Sequence, residues 1–357
     1  MKKICFLVVV STLLFTACKK EFTITVQSNN EKWGSVTGGG TYTKGETVQL
    51  TATPASGFKF EKWNDENIDN PRSVKVKNNA TYIATFSALS FSVSKNTKVV
   101  FSPGNLQWSA TNGGTTATTH TVSVGGTAEG TWRFAPNQWE TIGTGNNNIS
   151  STYSGWVDLF GWGTSGFDGK MPYLISTTET DYGNGSNNIA GTLDDWGVFN
   201  AIYNTKTQTT DAPGTWRTMT SEEWLYLFNT RITSSGIRYA KGLVNDVCGV
   251  IIVPDNWSSS VYTLNNTNVS DADYTSNIIN ADNWIKMEDA GCVFLPAAGT
   301  RNGTSVLDAG AYGYYWSATH YLSNYAYHLY CWSNEINPSR YYNRNRGFSI
   351  RLVQDVQ

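Results

Sequence analysis

Residues 312–353 read YGYYWSATHYLSNYAYHLYCWSNEINPSRYYNRNRGFSIRLV, and their composition sets this stretch apart from the rest of the chain. Between His320 and Arg346 there are six Tyr, five Asn, three Arg, three Ser and two His, with Glu335 as the only acid. Tyrosine offers large, rigid contact area at a low cost in conformational entropy, whereas Asn and Ser offer adaptable hydrogen bonds. The composition is typical of a binding surface, although a polar, aromatic-rich edge without a partner would have the same composition.

The residue pattern predicts that strands hold this surface at both ends. Residues 326–332 alternate with the two-residue period of a strand. This period places Tyr327, Leu329 and Cys331 on one face and His328, Tyr330 and Trp332 on the other. The end of the stretch at 347–353, here called the exit, alternates in the same way. Phe348, Ile350 and Leu352 are predicted on one face, and Gly347, Ser349, Arg351 and Val353 on the other. We expect the strands to form a rigid scaffold from which polar and aromatic tips face outward.

The candidate ligand-binding residues are the side chains that this arrangement turns toward solvent. We expect tyrosine and tryptophan to fill pockets of a partner, with Asn, Ser and Arg on the rim. The candidates are His320, Tyr321, Ser323, Asn324, Tyr325, His328, Tyr330, Trp332, Asn334, Tyr341, Tyr342, Asn343, Arg344 and Asn345.

Three sequence features of this stretch carry a family resemblance: YYWSAT at 314–319, Asn337-Pro338 and RGFSIRLV at 346–353. They resemble the variable region of C-type-lectin-fold proteins that are diversified by retroelements, or of undiversified bacterial surface paralogues with the same frame. In the diversified members adenines of Asn codons are mutated, so AAC becomes a codon for Tyr, His, Ser, Asp, Cys or Arg. Every candidate except Trp332 belongs to that set, and Glu335 also departs from it.

The first 21 residues read as a lipoprotein leader. A basic start, Met1-Lys2-Lys3, precedes an apolar run over 4–16 that is too short to span a bilayer comfortably. Residues 1–17 are therefore interpreted as a signal peptide. Phe15-Thr16-Ala17-Cys18 resembles a bacterial lipobox, which implies lipidation of Cys18 and a tether over 18–21. The resemblance implies an outer-membrane lipoprotein of a Gram-negative-type bacterium, anchored but not spanning, on the cell surface or the periplasmic face.

Residues 22–87 show the pattern of a small β module. Strand-like alternation appears at 22–26 and 47–53, again around Val74 and Val76, and at 81–86, with Gly and Pro turns between. The segments GSVTGGGTYTKGETVQLTATPASGFKFEKW at 34–63, NPRSVKV and ATYIATF resemble the internalin-B-type bacterial repeat, a β-grasp-like module. We interpret the module as a stalk, with an adhesive module as the alternative.

Residues 91–357 are interpreted as one large α+β domain, which makes the chain mainly β. Thr220-Ser221-Glu222-Glu223 forms a capping box that predicts a helix ending near Arg231, and weaker helices are predicted at 193–202 and 283–287. Residues 216–224 resemble the helix start of C-type-lectin-like domains related to formylglycine-generating enzymes. VCGVIIVPDNW at 247–257 and GCVFLPAAGTRNG at 291–303 resemble the same surface paralogues. The tryptophans are expected mainly in the core.

Composition favours binding over catalysis. A net charge of −2 and 15% charged residues provide no basic field for nucleic acid. The three histidines, His120, His320 and His328, do not have the spacing of a metal site, so we expect no metal and no cofactor. Cys248, Cys292 and Cys331 form no CxxC motif and allow at most one disulfide, and we expect core thiols. No acid/base motif is present, so we expect no enzyme activity. The expected function is recognition of a protein or glycan, with a structural, fimbria-like subunit as the alternative and a carbohydrate-active enzyme as a less favoured one.

Overall fold

A computed structural model describes residues 20–55, 57–111 and 130–356. The signal peptide, Cys18 and His120 lie outside these residues. So does most of the stretch at 109–130, whose Thr/Gly-rich composition predicts a hairpin or a mobile insertion. The chain divides into two compact units, residues 20–53 with 60–86, and residues 54–59 with 87–356. Among the described residues, no helix combines the length and apolar character needed to cross a membrane.

The first unit is a β module built from two sheets with the orders β3-β1-β7-β5 and β2-β4-β6. The predicted alternation at 47–53 is confirmed, since Val48, Leu50 and Ala52 all point into the core. Trp63 and Phe86 complete that core from other strands. The strands are β1 (Glu21–Ser28), β2 (Gly34–Thr37), β3 (Gly40–Thr43), β4 (Thr47–Pro54), β5 (Phe58–Trp63), β6 (Arg72–Lys75) and β7 (Ala80–Ala88).

Among its described residues, the second unit contains several small sheets and three short α-helices. The early strands are β8 (Phe91–Ser92), β9 (Lys98–Phe101), β10 (Leu106–Ser109), β11 (Thr131–Phe134), β12 (Ile202–Asn204), β13 (Thr209–Asp211) and β14 (Arg217–Thr218). The later strands are β15 (Tyr239–Val244), β16 (Val247–Ile252), β17 (Ile278–Ile279), β18 (Val293–Pro296), β19 (Thr300–Asn302), β20 (Ser305–Leu307), β21 (Gly313–Tyr321), β22 (Tyr325–Trp332), β23 (Glu335–Asn343) and β24 (Leu352–Asp355). The helices are α1 (Trp196–Phe199), α2 (Ser221–Leu225) and α3 (Ala281–Asp289).

The first and last strands of the second unit belong to the same sheet. The sheet β14-β24-β9-β8 joins the last strand to the first two, and the sheets β10-β11-β12-β13 and β17-β15-β16-β18 cover other parts of the core. The sheet β21-β22-β23 is composed of consecutive antiparallel hairpins and carries most of the candidate residues. Short 3-10 helices occupy Gly143–Asn148, Phe167–Gly169, Glu179–Asp181 and Tyr274–Ser276.

The capping box predicted for α2 is confirmed. Thr220 Oγ1 accepts a hydrogen bond from the Glu223 amide, and the Glu223 carboxylate accepts one from the Thr220 amide. A π-helical turn over Tyr226–Thr230 extends this helix to Arg231, where it was expected to end. The helix predicted at 283–287 is confirmed as the longer α3.

The helix predicted at 193–202 is wrong in extent. Only Trp196–Phe199 is helical, and Ile202 belongs to strand β12. Asp195 is the N-cap, where its carboxylate accepts from the Gly197 amide and from both the amide and hydroxyl of Thr218. This tertiary bond to Thr218 places Asp195 before the helix rather than inside its first turn.

The expectation that tryptophan forms the core is confirmed. Nine tryptophans of the second unit are at most 5% exposed: Trp108, Trp132, Trp162, Trp196, Trp216, Trp224, Trp257, Trp284 and Trp316. The exit segment at 347–353 was predicted as a strand, but only its last two residues belong to one, β24, and residues 347–349 form isolated bridges. The segment runs between two parts of this core, because Phe348, Ile350 and Leu352 pack into one cluster and Val353 into another. Both faces of the exit are therefore buried, so no part of it reaches the outer surface.

Arg351 illustrates how this core accommodates a buried cation. Its guanidinium donates to Asn105 Oδ1 at 3.2 Å and to Gln138 Oε1, and Tyr315 links the same network to the Pro296 carbonyl. Burial lowers the pKa of Arg351 to about 10, which leaves the side chain charged at neutral pH. Neutral amide oxygens, rather than a carboxylate, accept its hydrogen bonds.

We expect Arg351→Met to lower the free energy of unfolding by about 2 kcal/mol, because Asn105 Oδ1 loses its donor inside the core. Urea unfolding followed by tryptophan fluorescence measures this change. The matched control is Arg340→Met, where the side chain is 47% exposed and pairs with Glu335, so a loss below about 1 kcal/mol is expected. Equal losses in the two variants would contradict this account.

Candidate ligand-binding face

The candidate face is formed by the antiparallel sheet of β21, β22 and β23. Leu322–Asn324 connects the first hairpin and Ser333-Asn334 the second, with pairs such as Tyr321 to Tyr325 and Trp332 to Glu335 flanking the turns. Leu322 has a positive φ of 52°, a conformation that costs an L-residue about 1 kcal/mol or more. The tip of the first hairpin therefore needs support from elsewhere in the unit.

Arg344 provides that support. Its guanidinium donates to the carbonyls of Leu322 at 3.2 Å, of Tyr325 at 3.1 Å and of Gly185. The same group lies 4.4 Å from the centroid of the buried Trp162 ring. Arg344 is fully buried, so it does not lie on the rim where its residue type suggested. Its position makes it a structural tie between the hairpin tip and the loop that contains Gly185.

The predicted alternation along β22 does not separate a buried face from an exposed one. The register shifts between His328 and Tyr330, and another irregularity lies between Trp316 and His320. Leu329 and Cys331 enter the core as their apolar character suggests, yet His328 and Tyr330 are also only 1% and 7% exposed. Neither of these two candidates is accessible as a ligand contact.

His328 and Tyr330 instead belong to a packed row of aromatic rings. The Phe348 ring lies 4.2 Å from Trp316, 4.7 Å from Tyr314 and 4.9 Å from His328, measured between centroids. Burial lowers the pKa of His328 to about 3, with Arg340 acting in the same direction, so this imidazole is neutral. Burial raises the pKa of Tyr330 to about 12, and the Arg340 guanidinium lies 4.4 Å from its ring.

Four tyrosines pack together near the tip of the first hairpin, Tyr321, Tyr325, Tyr327 and Tyr341, here called the tyrosine cluster; Tyr341 is exposed and the other three are half-buried. The centroids of Tyr321 and Tyr341 are 4.2 Å apart, and Tyr325 and Tyr327 stand nearly perpendicular to Tyr341. Tyr341 is 51% exposed. Within the described residues, none of the four hydroxyls has a hydrogen-bond partner. Tyr327 was assigned to the other strand face by the alternation and was not among the candidates.

The remaining candidates surround this cluster or lie on the opposite side of the sheet. Ser323 and Asn334 are exposed at the two turns, and Asn324 accepts the Arg344 amide through its carbonyl. Tyr342 is 40% exposed and faces Phe348 and His328, on the side away from the tyrosine cluster. Trp332 stacks on Tyr312 with their planes 3° apart.

A loop at 176–188 borders the tyrosine cluster and was missed in the sequence. Asn343 donates to Glu179 Oε1 at 2.8 Å, Asn345 donates to the Thr177 carbonyl, and the His320 amide donates to Asn188. The loop has the polar composition of an ordinary surface loop, which does not mark it as part of a site. Its partners follow 132 or more positions later, so no local pattern could have revealed this contact.

Lys241 supports the second hairpin and was also missed. Its ammonium donates to the carbonyls of Trp332 at 2.6 Å and Ser333 at 3.0 Å, and lies 5.7 Å from the centroid of the Tyr274 ring. Burial lowers the pKa of Lys241 to about 8. Both hairpin tips are thus held by a buried cation that binds backbone carbonyls.

Cys248, Cys292 and Cys331 are free thiols, of which Cys292 and Cys331 are buried and Cys248 is half-buried. In the part of the chain that the structure describes, no group of three or more His, Cys, Asp or Glu residues is arranged to hold a metal ion. The two fully buried carboxylates with raised pKa values of about 6, Asp158 and Asp195, accept hydrogen bonds from nearby backbone amides.

Comparisons with known proteins assign the first unit more firmly than the second. Residues 24–90 match the family described as the divergent InlB B-repeat domain. The first unit is a bacterial repeat domain. Residues 252–353, which include the whole sheet β21-β22-β23, match a family described as a domain of unknown function, DUF8237. No curated protein and no solved structure matches the chain.

We expect His328→Phe to reduce the loss of stability in acid. The unfolded His328 binds a proton below its ordinary pKa of 6.5, whereas the folded one stays neutral down to about pH 3, so stability falls as the pH drops through this window. Between pH 7.5 and pH 5 the wild type should lose about 2 kcal/mol more than the variant. Urea unfolding at the two pH values measures the difference, and an identical pH dependence would show that His328 is not buried in this way.

Proposed function

We propose that the chain is a lipid-anchored protein of the cell envelope that binds a protein or glycan through the tyrosine cluster and its borders. The observation that carries the proposal is the accessible group of rings at a hairpin tip whose backbone Arg344 holds in place. Tyrosines with free hydroxyls on a rigid support are typical of binding hot spots, because little conformational freedom is lost on contact.

The buried carboxylates support binding rather than catalysis. Asp158 and Asp195 have the raised pKa values that catalytic acids often show. Both side chains are fully buried, and their oxygens are occupied by donors that include the Ile142 amide and Thr218. A substrate in solvent therefore has no direct access to either carboxylate.

The finer assignment of the second unit is also proposed. The motifs at 314–319 and 346–353 support a C-type-lectin-like domain, either diversified by a retroelement or an undiversified paralogue. Burial of His328, Tyr330 and Arg344 restricts what diversification could change there, because new side chains would have to fit a packed interior. The restriction is weaker at the half-buried Tyr321 and Tyr325 and weakest at Tyr341, which is 51% exposed.

The leader and the first unit support a location at the cell envelope. Residues 1–17 and Cys18 have the pattern of a lipoprotein signal, on the cell-surface or periplasmic face of the outer membrane. The repeat domain that follows fits a stalk for the binding domain, with an adhesive role as the alternative.

The first test screens the purified full chain against arrays of extracellular proteins and glycans. A ligand of the wild type should bind Tyr341→Ala about tenfold or more weakly, because a central aromatic contact is removed. Tyr342→Ala is the matched control: it removes a ring of similar exposure from the opposite side of the sheet and should retain binding. Absence of any ligand, or equal effects of the two variants, would argue against the proposed function.

A second test concerns diversification. If the domain is diversified, the neighbouring DNA should contain a reverse-transcriptase gene and a near-copy of codons 316–351 that differs mainly at adenines. The differing codons should fall at accessible positions such as Tyr321 and Tyr341 more often than at buried ones such as Arg344. Sequencing of the flanking DNA decides this, and absence of the copy would leave an invariant paralogue.

A further inference from the structure

The border of the tyrosine cluster carries negative charge. Asn343 stands directly opposite Tyr325 in the register of β22 and β23, and its side-chain amide donates to Glu179 Oε1 at 2.8 Å. Because directly paired residues share one face of a sheet, the Glu179 carboxylate lies beside the rings of the cluster. Asp181, two residues further along, is exposed and accepts from the Ser176 hydroxyl.

No basic side chain of the described residues neutralises this charge. Neither Glu179 nor Asp181 forms an ion pair in the part of the chain that the structure describes. The sequence has no Lys or Arg between Lys170 and Lys206. Arg344 is buried and donates to three carbonyls. Acidic groups thus border the rings without a counterion from the loop.

The basic residues near this sheet are directed to its other side. Arg340 lies 4.4 Å from the Tyr330 ring and pairs with Glu335, and Arg346 lies 5.2 Å from the Tyr342 ring. Tyr342 and Tyr341 are adjacent in a strand, so their side chains point to opposite faces. The two faces therefore differ in charge: arginines cover the rings on one, and a carboxylate borders the rings on the other.

We infer that the tyrosine cluster with Glu179 binds Lys or Arg side chains on the surface of a protein partner. This inference rests on the proposed function and names the chemistry of its ligand. A guanidinium or ammonium is attracted to the face of a Tyr ring, and Glu179 Oε2, which has no partner among the described residues, can accept a charge-assisted hydrogen bond from it. An anionic glycan would be repelled by the Glu179 and Asp181 carboxylates, neither of which forms an ion pair within the described residues. Glu179 is the residue that selects for positive charge.

The experiment uses the purified full chain and two biotinylated peptides clustered on streptavidin, one of Gly-Ser-Arg repeats and one of Gly-Ser-Glu repeats. Biolayer interferometry measures binding at moderate ionic strength. We expect the Arg peptide to bind and the Glu peptide not to bind. Tyr341→Ala should abolish binding of the Arg peptide, and Glu179→Gln should weaken it about three- to tenfold, the range expected for one exposed charge pair combined with loss of its hydrogen bond.

The matched control for charge is Glu335→Gln, which also removes one acid but on the side of Arg340, and it should leave binding unchanged. Failure of the Arg peptide to bind, equal binding of both peptides, or equal effects of Glu179→Gln and Glu335→Gln would overturn the inference. These outcomes are distinct from failure of the proposed function. If an array ligand depends on Tyr341 but not on Glu179, the binding face stands and only the assigned ligand chemistry fails.

Discussion

Backbone carbonyls that receive hydrogen bonds from buried cations hold the second unit together around its candidate site. Arg344 ties the first hairpin tip to the 183–188 region, and Lys241 ties the second tip to strand β15. Arg301 and Arg231 are also buried and donate to the carbonyls of Leu159 and Val253, and Arg231 in addition pairs with the Asp255 carboxylate. Removing a cation from water is costly unless its donors find acceptors, so Arg344, whose three nitrogens each donate to a carbonyl, tolerates few arrangements of the surrounding loops. Loops without regular hydrogen bonding thereby acquire a defined conformation.

This constraint explains how an irregular, aromatic-rich segment can present a rigid surface. Phe348, Trp316 and His328 pack beneath the sheet, while Tyr321 and Tyr341 remain accessible at its tip. The same residue type therefore has two physical roles in one segment. Tyr330 and Tyr315 are buried, the former beneath a guanidinium and the latter bonded to the Pro296 carbonyl, whereas the hydroxyls of the tyrosine cluster are left for solvent or a partner.

The two units use different means to reach a stable β structure. The repeat domain buries alternating apolar residues such as Val48 and Leu50 from regular strands, which is why its strands could be predicted from the sequence. The second unit has short strands and many loops, and its stability depends on tryptophan packing and on buried polar groups such as Arg351 and Asn105. Its sequence accordingly shows clear signals only where a local rule applies.

The sequence by itself determined the β character of both units, the capping box at Thr220 and the burial of the tryptophans. Each of these follows from local spacing or from the apolar character of a side chain. Only the tertiary structure decided which aromatic residues remain accessible. Irregular register near His320 and His328 breaks the simple alternation. The contacts that hold the site also join distant positions: Gly185 lies 159 positions from Arg344, Glu179 lies 164 from Asn343, and Trp332 lies 91 from Lys241. Contacts at that separation depend on how the whole unit packs, and no periodicity in a short window contains them.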